Sequence, residues 1–198
     1  MQKPSGYDEA QAGGFIPVEL GGHYAIIKRV AETRSSTGKD MIVVLLDFDR
    51  NDKQANYFTD QFNNDTRADK KWPFNGSKYI MVMDYNDPSK TSRAFKTFCT
   101  CVENSNNYTI TWGGADWGKQ FTGKKVGVVY GEEEHEYDGK TSMRRIIKYF
   151  CSVDKVSEQK IPAPKFLSAG QVNTTAPAKN ENDDFLKIPE GVDDEIPF

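Results

Sequence analysis

Cysteine is scarce in this chain of 198 residues, with only Cys99, Cys101 and Cys151. Three thiols cannot form a closed set of disulfides, so we expect reduced cysteines, as in cytosolic proteins. Long apolar runs are also lacking, because the longest, residues 41–46, is far shorter than the roughly 20 residues that cross a bilayer. The first residues contain no apolar segment of the kind found in secretory signals. We therefore expect a cytoplasmic protein without a membrane partner.

The net charge of -3 is distributed unevenly along the chain. Residues 166–198 hold two Lys against seven acidic residues, which leaves 24 Lys and Arg against 22 Asp and Glu in residues 1–165. A mildly basic body thus carries an acidic tail. The charge of the whole chain is consequently no argument against an anionic ligand.

A change of composition near residue 165 predicts a boundary between a folded domain and a tail. Pro162 and Pro164 disfavour helix around them, and residues 168–184 are polar without apolar periodicity. We predict a flexible arm over residues 1–13, one domain over residues 14–165 and a disordered acidic tail over residues 166–198.

The apolar pattern of the body predicts five strands. Residues 24–32, 41–49 and 55–62 give the first three, and the run 41–49 is apolar enough to be covered on both faces. Residues 124–130, extended by 132–134, and residues 143–153 give a final hairpin around Asp138-Gly139. Residues 63–75 fit a short helix or a structured loop, and residues 78–84 fit a strand or a helix.

Apolar residues at helical spacing after Ser92 predict a helix that this serine caps. Three strands, a connection with a helix and a hairpin follow one another as in the OB fold. The expected fold class is therefore mainly β (α+β), a five-stranded OB barrel with a helix between strands 3 and 4.

The chain ends in an acidic and then apolar tip, Asp193, Asp194, Glu195, Ile196, Pro197 and Phe198. It resembles the tip of bacterial single-stranded DNA-binding proteins, although Glu195 stands where Asp is usual. The ring and α-carboxylate of Phe198 suit an apolar pocket beside a cation of a partner protein, and the acidic residues favour a basic partner surface. An acidic solubilising tail is the alternative.

Several segments of the body form a recognisable set: residues 62–66 with Lys70-Lys71-Trp72, and residues 123–127, 130–134 and 150–153. Together they are similar to a family of single-stranded DNA-binding proteins from phages and mobile elements of Gram-positive bacteria. The resemblance covers roughly residues 14–165. It implies an OB fold without enzymatic activity or cofactor, which acts in DNA replication and recombination in the bacterial host and recruits replication, repair or recombination proteins through its tip.

A groove that binds single-stranded DNA without sequence preference needs cations for phosphates and aromatic faces for bases. OB domains bind across strands 2 and 3, between the first and fourth loops. Of Tyr57 and Phe58, which we place on the third strand, one should face the core, and Trp112 and Trp117 are interpreted as packing residues. The candidate DNA-binding residues are Lys28, Arg29, Arg34, Lys39, Tyr57, Phe58, Arg67, Lys70, Lys71, Trp72, Arg144, Arg145 and Lys148.

The acidic cluster Glu132 to Glu136 suggests a metal-dependent nuclease as an alternative, because hard cations favour carboxylates. The cluster adjoins a hairpin turn, however, where charged residues are ordinarily solvated. The two histidines and the cysteine spacing do not match a structural zinc site, so we predict no metal and no catalytic residue. A strand-annealing protein or recombination mediator stays open as a further alternative, and so does assembly into a homo-oligomer.

Overall fold

The computed structural model describes residues 16–138 and 140–167 and shows a mainly β structure. Five strands form one antiparallel sheet in the order β3–β2–β1–β4–β5. The predicted arm and the tip of the tail lie outside the described residues. The strands are β1 (Gly21–Arg34), β2 (Asp40–Phe48), β3 (Ser77–Met81), β4 (Lys125–Tyr137) and β5 (Lys140–Cys151), and the helices are α1 (Tyr57–Asn64) and α2 (Arg93–Asn106).

The second strand is buried on both faces, as its continuous apolar run predicts. Alternate residues from Ile42 to Phe48 join the main core between the sheet and the helices. The other set, Met41, Val43 and Leu45, forms a second apolar cluster with Tyr79 and Met81 of β3. Residues on both faces of β2 are therefore removed from water.

The two edge strands of the sheet approach each other through side chains. Lys78 on β3 donates from its Nζ atom to the carbonyl oxygen of Ile147 on β5, at 2.8 Å. Nearby, the hydroxyl of Tyr130 donates to the carbonyl oxygen of Asn75 at 2.6 Å. The sheet therefore curls, so that β5 lies near β3 and the turn that leads into it.

The helix predicted after Ser92 is confirmed as α2. The hydroxyl of Ser92 accepts a hydrogen bond from the Phe95 amide at 3.1 Å, so Ser92 caps the helix. The terminal hairpin is also confirmed, because Tyr137 pairs with Lys140 across a two-residue turn. The helix lies between β3 and β4 in the chain, as expected.

The predicted third strand over residues 55–62 is wrong, since this segment contains α1 and the third strand is Ser77–Met81. The buried carboxylate of Asp47 accepts hydrogen bonds from the amides of Phe58 and Thr59, at 2.9 and 3.1 Å. These are free amides of the first helical turn, which need an acceptor. A side chain eleven residues before Phe58 thus overrides the strand propensity of the aromatic residues.

Part of the outer side of the sheet is covered by the 3₁₀ helix Val153–Glu158. Val156 of this helix packs with Val129 and Cys151, over β4 and β5. It lies so close that a Cβ atom at Gly127 would be 2.6 Å from the side chain of Val156. The outer side of β1, β2 and β3 is the part of the sheet on which the candidate site lies.

Candidate nucleic-acid interface

The strand register defines one outer face on β1, β2 and β3, opposite the main core. Arg29 lies beside Leu45, which lies beside Ser77, at the end that we call the Arg29 end. Met41 lies beside Met81 at the other end, the Met81 end. The buried second apolar cluster occupies the centre of this face. Polar contacts with a ligand must therefore come mainly from its two ends.

Two adjacent cations lie on β1 at the Arg29 end. The pairing of β1 with β2 shifts by one residue between Ile27 and Arg29, which is a β-bulge. Lys28 and Arg29 are both exposed as a result, although strict alternation would turn one of them inward. The bulge places two cationic side chains side by side.

The predicted Lys70-Lys71-Trp72 segment lies at the same end. Trp72 packs against the second apolar cluster, and its Nε1 atom donates to the carbonyl oxygen of Gly76, directly before β3, at 3.2 Å. Its ring is 5.7 Å from the ring of Phe62, and the Nζ atom of Lys70 lies 4.7 Å above that ring. Lys71 is exposed. Phe62, which is not among the predicted residues, thus supports Lys70.

The Met81 end carries Arg34, the last residue of β1, and Lys39 from the loop between β1 and β2. The Nζ atom of Lys39 lies 3.6 Å from the ring centre of Tyr85 and 3.3 Å from its carbonyl oxygen. Tyr85 is 62% exposed, so its ring is available for stacking. Arg34 is also exposed and pairs with Asp40 at 3.2 Å. Tyr85 is not among the predicted residues, and its signal in the sequence is an aromatic residue within a polar turn.

Phe58 is wrong as a stacking candidate because its side chain is fully buried. Its ring packs in the main core, 5.1 Å from the ring of Phe48. Tyr57 is half-buried, and its hydroxyl donates to the carbonyl oxygen of Ile16 at 2.6 Å. The expectation that one of the two rings is interior is confirmed, but both residues belong to α1 rather than to a strand.

Arg67 lies in the exposed loop after α1 and is engaged with a neighbouring carboxylate. It donates to both oxygens of Asp65, at 3.0 Å from Nε to Oδ1 and 2.6 Å from Nη2 to Oδ2. Hydrogen bonds from the side chain and amide of Arg67 lower the pKa of Asp65 to about 2. The charge of Arg67 is therefore partly balanced within the loop.

The three predicted cations Arg144, Arg145 and Lys148 lie on β5, a strand that is not part of the outer face of β1, β2 and β3. Arg145 donates to the carbonyl oxygen of Val18 at 2.5 Å and lies 3.4 Å from Glu132. Lys148 pairs with Glu133 at 3.0 Å. The guanidinium of Arg144 lies 5.2 Å from the ring centre of Phe74, in the turn before β3. Arg145 and Lys148 thus pair with carboxylates of β4, whereas Arg144 contacts the segment that leads into β3.

The acidic cluster on β4 does not gather its carboxylates around one point. Glu132 and Glu133 pair with different cations of β5, and Glu134 accepts from the amide of Leu167 at 3.0 Å. Within residues 16–138 and 140–167, no group of three or more His, Cys, Asp and Glu side chains could hold a metal ion.

Trp117 packs inside, as predicted, and is 8% exposed, but the interpretation of Trp112 as a packing residue is wrong. Trp112 is 64% exposed, although its ring stacks on that of Trp117. The two glycines that follow Trp112 are the sequence signal of a surface turn, and hence of an exposed ring.

No protein-family model matches the chain, and comparison with curated proteins gives no significant match. The family resemblance of the body and tip therefore stays a prediction. In the part of the chain that the structure describes, the helices are too short or too polar to span a bilayer.

Proposed function

We propose that this protein binds single-stranded DNA, without strong sequence preference, across the outer face of an OB barrel. The strand order, the antiparallel pairing and the position of α2 between β3 and β4 support this fold. The hydrogen bond from Lys78 to Ile147 supports closure of the curled sheet into a partly open barrel. OB domains bind oligonucleotides on the face of their second and third strands, which here is the outer face.

The observation that carries the proposal is the placement of cations at both ends of this face. Lys28 and Lys70 lie at the Arg29 end, and Lys39 lies at the Met81 end. The two ends are separated by four residues of β1, or about 13 Å at strand spacing. A strand that crosses the face would meet cations where it enters and where it leaves.

Lys70 and Lys39 each lie over an aromatic ring, which combines the two contacts that a sequence-tolerant site requires. The ammonium group neutralises a phosphate, and an exposed ring such as that of Tyr85 offers a stacking surface for a base. In this proposal the protein acts in phage or mobile-element replication and recombination, and its acidic tip recruits partner proteins. The tip lies outside the described residues, and its sequence alone supports that role.

The test measures binding of labelled oligothymidine by fluorescence anisotropy over a range of salt concentrations, with a duplex of equal length for comparison. We expect tighter binding to the single strand and a linear fall of log affinity with log salt. Replacing Lys28 and Lys70 by Gln should reduce the slope by about 1.4, since each phosphate contact contributes about 0.7.

Lys155→Gln is the matched control, because Lys155 is exposed on the 3₁₀ helix that covers β4 and β5. It should leave the slope unchanged. Equal affinity for duplex, no binding at all, or cleavage of the strand in Mg²⁺ would contradict the proposal. Removal of residues 185–198 should preserve DNA binding and abolish capture of partner proteins, and capture by the truncated chain would contradict the role of the tip.

A further inference from the structure

An exposed tryptophan on the connection between α2 and β4 is held in a fixed position. The ring of Trp112 is 64% exposed and stacks on Trp117, with 5.6 Å between centres and 21° between planes. It also lies 6.2 Å from the ring of Phe95. Trp117 is itself buried and packs edge-on against Phe121 at 4.7 Å. One face of Trp112 is thus supported by the core, while the other faces solvent.

The loop that presents this ring is braced by one glutamine. The Oε1 atom of Gln120 accepts from the Tyr108 hydroxyl and the Thr111 amide, at 2.8 and 2.9 Å. Its Nε2 atom donates to the carbonyl oxygens of Thr111 and Trp117, both at 2.9 Å. A braced exposed ring loses little conformational freedom when a flat ligand stacks on it.

Two glycines allow the chain to turn directly after Trp112. Gly113 and Gly114 have φ angles of 89° and 94°, a region that other residues adopt rarely. A Cβ atom on either glycine would meet nothing within 4 Å, so the backbone conformation and not the space is what requires glycine. This turn lets Trp112 lie back on Trp117.

The segment that contains Trp112 is cationic. Residues 93–125 contain five Lys and Arg against two acidic residues, whereas the rest of residues 1–165 contains 19 against 20. Arg93 and Lys96 are exposed on the first turn of α2, on either side of Phe95. Within the described ranges, no carboxylate forms an ion pair with either of them. The charge excess of the body therefore lies in the segment that contains Trp112, although Lys119 and Lys125 of this segment pair with Asp116 and Asp49.

The ring also lies beyond one end of the proposed DNA-binding face. Ser92, which caps α2, donates from its hydroxyl to the carbonyl oxygen of Met81 at 2.5 Å, so α2 begins at the Met81 end. We infer that Trp112 stacks on a nucleobase of a single strand that leaves the outer face at this end, with Arg93 and Lys96 at its phosphates. This inference rests on the proposed function and adds a second contact region to it.

The test compares two lengths of oligothymidine, about 6 and about 20 nucleotides, because the first lies within the roughly 4–16 nucleotides that a single OB fold occupies and the second exceeds them. Trp112→Ala should weaken binding of the long strand about 5- to 150-fold, the range for loss of one stacked ring. Binding of the short strand should change less than twofold, because the outer face alone accommodates it. Trp112→Phe should retain most of the affinity, and Tyr137→Ala, which removes an equally exposed ring at the hairpin tip, should have no effect.

The outcomes separate this inference from the proposed function. If the unaltered protein binds neither length, the proposed function fails. If both lengths bind, with normal salt dependence, and Trp112→Ala changes neither, the proposed function stands and the second contact region does not. Equal losses for both lengths would also overturn the inference, as would a variant that binds DNA normally but loses an association with a protein.

Discussion

Replacement of Asp47 should destabilise the protein more than replacement of any exposed acidic residue of α1. Its side chain, which is 2% exposed, accepts hydrogen bonds from three amides, those of Phe48, Phe58 and Thr59, and from the Thr59 hydroxyl. Asn56, at the usual capping position, makes no side-chain hydrogen bond to the helix. Asp47 therefore provides the acceptor that α1 otherwise lacks, and its negative charge also favours the helix N-terminus.

The expected loss for Asp47→Ala is about 3 kcal/mol, since it leaves buried amides unpaired at about 1–3 kcal/mol each and water entering the vacated space offsets part of this. For a chain of this size the melting temperature should fall by roughly 6 to 12 °C. Asp47→Asn keeps one acceptor oxygen but places an amide group against the Thr59 donors, so about half of the loss should remain. Urea titration followed by circular dichroism measures both variants.

Asp60→Ala is the matched control, because Asp60 lies in the first turn of the same helix and is exposed. It should cost less than about 1 kcal/mol, the usual value of a charge near an exposed helix end. If Asp47→Ala is no more destabilising than Asp60→Ala, the explanation given for α1 is refuted. Asp47 would then not explain why the predicted third strand is a helix.

Three further predictions concern pH and packing. Burial lowers the pKa of Lys78 to about 8, below its value in the unfolded chain. The free energy of unfolding should therefore rise between about pH 8 and 10.4, by at most about 3 kcal/mol. If Lys78→Met shows the same rise, this explanation is contradicted. Burial by itself would raise the pKa of Asp52, but hydrogen bonds from the His23 ring and two amides outweigh it and lower the pKa. Stability should therefore be lost as the pH falls below about 4. In urea titrations at several pH values, Asp52→Asn should show a smaller loss of stability on acidification. Gly22→Ala would push a Cβ atom into the carbonyl oxygen of Val156 and should destabilise the protein by about 1–3 kcal/mol. Amide hydrogen exchange in residues 153–158 should become faster, and unchanged exchange there would contradict the close contact.

The parts of the fold that local pattern could predict are those whose cause lies within a short stretch of sequence. Ser92 caps α2 from the adjacent position, and the final hairpin turns at Asp138 with a φ angle of 50°. The burial of β2 on both faces follows from its own apolar run. The helix α1 was missed because its acceptor is on β2, and no local window relates Asp47 to Thr59.

The same distinction applies to the candidate site. The sequence identifies Lys28 and Arg29 as candidate cations. Their joint exposure depends on a bulge in the pairing of β1 with β2, which the sequence of β1 does not reveal. The burial of Phe58 follows from the placement of α1. The exposure of Trp112 depends on the backbone turn at two glycines, and a composition-based interpretation assigns tryptophan to the core.

The number of available cations makes the salt dependence a quantitative test of how far the DNA extends. Within the described ranges, Lys28, Lys39, Lys70, Arg93 and Lys96 form no ion pair with a carboxylate, whereas the β5 cations Arg145 and Lys148 do. If one phosphate binds each of the first three, all on the outer face, the slope of log affinity against log salt should be about -2.1. Participation of Arg93 and Lys96 should steepen it to about -3.5 for strands long enough to reach Trp112. A slope near -2 at every strand length would therefore confine the DNA to the outer face, and a slope near zero would exclude both regions.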